Sequence, residues 1–280
     1  MISNLLICSV IMTVSMVQGY QRDIDIDNKM GEVDVIEAEI DYGMGELTIS
    51  EGESNRAVTG RVQYIPDEVS IVEKYTEKKN IGHYKFETHW PDNNNDDEDN
   101  NLETELNFSN RIPLKFNIDC GLSEVDLDLA GLKIKELIMD NGLGSVDIEF
   151  GQRSNKVRCD RLDIDTGLGE VEIENLANAN ADFMEFECGL GSLELGFQGD
   201  LDDDITVDLS VGMGSVDIYI PEGTNVIVEY DQSFFSDVDL RGFEQISGDT
   251  YRSINFREKK PIISIQASIG MGSIDVHWID

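Results

Sequence analysis

The stretch LDIDTGLGEVEIE, residues 162–174, decides how this chain folds. Leu162 and Ile164 alternate with Asp163 and Asp165, and after the glycine-centred break Val171 and Ile173 alternate with Glu170, Glu172 and Glu174. A period of two marks a half-buried β-strand, apolar side inward and carboxylates in water. Between the halves, Gly167 and Gly169 are expected to bend the chain through positive φ at no steric cost. The intervening Leu168 is expected to point into the interior.

The chain repeats this unit seven times: IDYGMGELTI from Ile40, IDCGLSEVDL from Ile118, MDNGLGSVDI from Met139, IDTGLGEVEI from Ile164, FECGLGSLEL from Phe186, LSVGMGSVDI from Leu209 and SIGMGSIDV from Ser268. The leading glycines of the central copies, Gly121, Gly142, Gly167, Gly189 and Gly212, are 21, 25, 22 and 23 residues apart. A period in this range signals a solenoid. A coil of that length has room for about three strands of ~5 residues with their corners. One coil cannot bury its own apolar face, whereas coils stacked at ~4.8 Å pair each strand with its equivalents above and below. The expected fold is therefore all-β: a single-stranded parallel β-helix, right-handed, with an antiparallel N-terminal excursion. An antiparallel sandwich fits less well, because hairpins favour N-G or D-G turns and have no such period.

The run GSVDIYIPEGTNVIVEY (214–230), with the closing PIISIQASIGMGSIDV, resembles the C-terminal domain of Lia-type cell-envelope stress regulators. The GLGSVDI and GLGEVEI coils resemble the wider toastrack, or putative-adhesin, β-helix family of bacteria. The likeness runs from about Phe116 to the C-terminus, with a toastrack-like piece over 36–111. It implies a non-catalytic β-helix at the bacterial surface, adhesin-like or tied to envelope-stress signalling.

Three segments are expected. Residues 1–19 read as a signal peptide: 5–16 carry no charge, and Val17-Gln18-Gly19 offers a cleavage site before Tyr20. An uncleaved anchor is the alternative, although the apolar run is shorter than the ~20 residues of a span. Residues 20–115 form the N-terminal toastrack-like segment and 116–280 the β-helix repeats. Within the former, the acidic tract 91–101 (PDNNNDDEDNN) cannot bury apolar surface and is expected to be a disordered loop. The protein is expected to be exported, to the periplasm or cell surface, with no membrane span after signal removal.

With 57 acidic against 21 basic residues the net charge is −36, which excludes nucleic acid and anionic lipid as direct partners. Asp147, Glu172, Glu194 and Asp217 share one place in their repeats, so stacking sets carboxylates ~5 Å apart in a column. Like charges so placed repel, and salt or non-specific divalent cations are the expected screen. Cys120 and Cys188 share another place but lie three coils apart, ~14 Å, beyond disulfide reach. With Cys159 they read as small buried fillers.

No catalytic constellation is present. His83, His89 and His277 are scattered, and no nucleophile-elbow, zincin, Walker or Rossmann run occurs. Asp92, Asn94, Asp96 and Glu103 have calcium-loop spacing, but Asp97 stands where that loop needs glycine. No metal site and no cofactor are expected. The expected role is a non-enzymatic module of the cell envelope whose partner is an envelope protein or glycan. A component of an envelope-stress signalling system is the alternative, and a polysaccharide-active β-helix enzyme a further one. Because the regular coils repeat the same outward residues, binding is expected at the two interruptions of the pattern. There the aromatic and arginine residues Trp90, Phe234, Phe235, Arg241 and Phe243 are the candidates. The aromatic residues would also serve to cap the column.

Overall fold

A computed structural model describes residues 21–91, 102–231 and 236–280. The leader 1–19 and all but Pro91 of the acidic tract lie outside the described residues. So do Phe234 and Phe235.

The chain forms β1 (Arg22–Lys29), β2 (Val35–Gly52), β3 (Arg56–Tyr64), β4 (Ser70–Lys78), β5 (Ile81–His89) and β6 (Glu103–Ser109). The repeats follow as β7 (Leu114–Asp128), β8 (Ile134–Glu149), β9 (Arg161–Glu174), β10 (Phe183–Gly196) and β11 (Ile205–Pro221). Then come β12 (Asn225–Asp231), β13 (Ser236–Asp239), β14 (Phe243–Ser247), β15 (Thr250–Ser253) and β16 (Ile262–Ile279). All belong to one mixed sheet, whose main path runs β1-β3-β6-β2-β7-β8-β9-β10-β11-β16-β12-β15-β14, with β5 joined to β2, β4 to β5 and β13 to β16 beside it. Strands β2, β7 to β11 and β16 pair in parallel, each repeat in register with the next. Antiparallel pairs lie at the two ends, β1–β3, β3–β6 and β4–β5 at one and β12–β15 and β14–β15 at the other.

Each repeat is one long strand, 14 to 18 residues, bent at its middle, and not three short ones. The bend is visible in the burial. In β8, Leu137, Met139 and Asn141 are buried, and burial resumes at Val146 and Ile148. The interior positions pass from odd to even numbers, so the alternation skips a step and the chain turns a corner at residues 142–145.

The two corner glycines answer different demands. Gly144 takes φ 138°, a conformation that side chains resist. Gly142 does not take a left-handed φ, and neither do Gly167 and Gly169, which corrects the expectation that both bend the chain through positive φ. Residue 142 is glycine because a Cβ there would lie 2.6 Å from the carbonyl oxygen of Gly121 in the layer before.

Both end layers are completed by excursions of the chain. The first limb of β2 pairs in parallel with β5 and its second limb with β6, so β5 and β6 make one layer split at the corner. At the other end β12 pairs with the first limb of β16 and β13 with the second. The N-terminal interruption, expected as an antiparallel excursion, is thus a layer of the stack with antiparallel strands attached. Tyr84, Phe108 and Phe116 fill the column there, edge to face at 5.5 and 4.9 Å.

Two substitutions test this corner. Gly144→Val should cost about 3 kcal/mol or more, because φ is positive and a Cβ would overlap the Ser123 carbonyl oxygen. An unchanged melting temperature would refute the geometry. Asn141 is buried with no hydrogen-bond partner for its amide among the described residues, while Val211 occupies the equivalent place in β11. Asn141→Val should therefore stabilise by about 1 kcal/mol, read as a higher denaturation midpoint.

Candidate functional site

The corner residue between the glycines does not enter the core. Leu122, Leu143, Leu168, Leu190, Met213 and Met271 are 42 to 49% exposed. This corrects the expectation that they point inward. Continued alternation would have placed Leu168 on the side of Leu162 and Ile164, but the corner turns it out. Successive strands pair these six residues with one another. At ~4.8 Å per layer they form an apolar ridge about 24 Å long. Sequence reasoning missed this surface, although the skipped step in each repeat carried the signal.

Carboxylate ladders run along both sides of the ridge. Three residues before it stand Asp119, Asp140, Asp165 and Glu187, in register and exposed. Four residues after it stand Asp126, Asp147, Glu172, Glu194, Asp217 and Asp275, also in register. The latter ladder contains the four residues whose stacking the repeat pattern predicted. Among the described residues, only Asp217 of this ladder has a basic partner, His277 Nε2 at 2.7 Å. Partial burial comes first in raising Asp147 above its ordinary value, followed by the charges of Asp126, Glu124 and Glu170. Glu172 is raised likewise, by partial burial and then by Glu194, Asp147 and Glu174. Asp165 and Glu187 in the other ladder shift the same way, Asp165 beside Asp140 and Asp163, Glu187 beside Asp165 and Glu185.

The expected binding residues fall at opposite ends of the stack. The Trp90 ring lies over Gly43, at the corner of β2, and its Nε1 is buried without a hydrogen-bond partner among the described residues. Arg241 is 83% exposed and pairs with Asp239 at 2.7 Å, and its carbonyl accepts the Trp278 indole N–H at 2.9 Å. Phe243 packs on Trp278 with ring centroids 5.3 Å apart. Trp90 and Phe243 thus cover the ends of the column, and Arg241 alone of the three is largely in solvent. Cys120, Cys159 and Cys188 are free and buried, and the register sets three layer steps between Cys120 and Cys188.

The ladders predict a pH response. A carboxyl group whose folded pKa is raised adds stability below its ordinary value, and that stability is lost as pH rises through the raised value. The melting temperature should accordingly rise as pH is lowered from neutral toward the ordinary carboxylate range of about 4, and the rise should shrink in high salt or millimolar calcium. A melting temperature independent of pH over this window would show that the stacked carboxylates do not repel.

The N-terminal domain of toast_rack, DUF2154, matches residues 14–174. No protein of curated function matches the chain. Among solved structures, a "putative cell adhesion protein" from Clostridium sporogenes is 16% identical at a TM-score of 0.49, with 94% of this chain and all of that one covered. A "putative adhesin" from Bacteroides fragilis is 12% identical at a TM-score of 0.42, over 94% of this chain and all of that one. Another from Parabacteroides merdae is 12% identical at 0.35, over 93% and 97%. The family match ends before 214–230, so the likeness of that run to Lia-type regulators has no support from it. It does span β1 to β9, the N-terminal layers and the first bent repeats with their glycine corners, and on that match the chain belongs to the toast_rack family.

Proposed function

We propose that the protein is a non-enzymatic interaction or structural module of the bacterial cell envelope, adhesin-like in role and exported to the periplasm or cell surface. One observation carries this reading: the outward chemistry of the stack is the same from layer to layer. Asp140, Asp165 and Glu187 on one side of the ridge, and Asp147, Glu172 and Glu194 on the other, repeat without a distinguished pair. Hydrolysis of glycans by paired carboxylates needs two groups whose surroundings push their pKa values apart, one acid and one base. Here Asp147, Glu172, Asp165 and Glu187 all move in the same direction, for the same reasons. A ladder of like groups suits binding or spacing better than turnover. Right-handed winding of the layers, as parallel crossovers prefer, belongs to the same reading, as does cleavage of the leader before Tyr20.

Two measurements test the proposal. Expressed in a bacterial host, the protein should be recovered outside the cytoplasm with an N-terminus near Tyr20. Incubated with a panel of envelope and plant polysaccharides, it should release no product. Glycan turnover that disappears in Glu172→Gln would overturn the non-enzymatic reading.

A further inference from the structure

We infer that the leucine and methionine ridge, with its flanking carboxylate ladders, is the docking surface for a basic amphipathic helix of a partner protein. This rests on the reading of the chain as an interaction module and specifies the partner's chemistry. Soluble proteins seldom leave a continuous apolar strip in water unless something covers it. Here six side chains stand in single file, each 42 to 49% exposed and each in register with the next. The corner does not demand them. The side chain there points to solvent, where serine or aspartate would fit as well, yet all seven copies of the unit carry Leu or Met at this place.

The charge around the ridge selects the occupant. Asp119, Asp140, Asp165 and Glu187 line one side, and the ladder from Asp126 to Asp275 lines the other. The covering surface must be apolar along a line and cationic on both flanks. A helix with an apolar stripe bordered by Lys and Arg has that form. The ridge length of about 24 Å corresponds to ~16 helical residues at 1.5 Å each. Glycines on either side of the ridge, Gly142 and Gly144 in β8, with Ser123 the one exception in β7, remove side chains that would hold a helix off. At the β2 end the strip opens into a groove of about 590 Å³, with Met44, Leu122 and Leu143 as apolar lining and Glu46, Glu103 and Glu124 as acidic lining. Methionines at the other end, Met213 and Met271, adapt to varied shapes. A second copy of this chain would set these ladders against identical ones, and an anionic bilayer would be repelled in the same way.

The test uses the protein over residues 20–280 and a fluorescent 16-residue peptide with Leu at i, i+3, i+4 and i+7 and Lys elsewhere. A second peptide has the same composition with the leucines scattered around the helix. Fluorescence anisotropy should show the amphipathic peptide binding at least about tenfold more tightly than the scattered one. Leu143→Ser, Leu168→Ser and Leu190→Ser together should weaken that binding by at least about tenfold with circular dichroism unchanged. Should the triple variant misfold, Leu168→Ser alone should weaken it by about threefold. Ile254→Ser, at a residue 60% exposed outside the ridge, should leave it unchanged. Equal binding of both peptides, unaltered binding by the ridge variants, or preference for phosphatidylglycerol vesicles would each overturn the inference. An envelope protein captured equally by wild type and triple variant would remove the ridge and leave the interaction reading standing. Glycan turnover would remove that reading whatever the peptide did.

Discussion

At each corner of the stack the backbone comes so close to the layer before it that a Cβ on Gly142, Gly167 or Gly189 would lie 2.6, 2.6 or 2.5 Å from a glycine carbonyl oxygen. This approach allows the parallel hydrogen-bonded ladder to continue through the bend instead of breaking there. One strand then serves as two walls of the layer. Because glycine is required at the same place in every layer, the corners lie directly over one another.

In-register stacking multiplies whatever a repeat carries. Apolar residues on the inner faces merge into one column, where Leu137, Met139, Val146 and Ile148 are all buried. Carboxylates on the outer faces merge into ladders, in which Asp147 and Glu172 are raised first by partial burial and then by their acidic neighbours. The corner residue, leucine or methionine in each copy, becomes a ridge. A lone exposed leucine on a protein surface means little. Six aligned between rows of charge make a surface with a direction and a sign.

A stack also has two open ends, and this chain closes them with its own excursions. β5 and β6 complete one end, and β12 and β13 the other, each pair matching the two limbs of a bent strand. The C-terminal strand β16 therefore lies inside the stack, between β11 and the β12–β13 layer. Trp90, Phe243 and Trp278 pack where the column would otherwise meet water.

The repeat, its β character, the parallel register and the column of Asp147, Glu172, Glu194 and Asp217 were all legible in the sequence. Each follows from alternation and spacing, and these are local properties. The cysteine separation followed from the same count of layers. What the sequence reading misplaced depends on the angle of the corner. Alternation alone puts Leu168 inward, and only the bend at Gly167 and Gly169 turns it out. The insertion of β16 and the splitting of the end layers depend on pairing between residues far apart in the chain, such as Asn225 with Ile262 and Glu46 with Glu103. A period in the sequence says which residues are equivalent. It does not say which way the backbone turns between them, or which segment closes the end, because both are settled by contacts that form only once the layers are stacked.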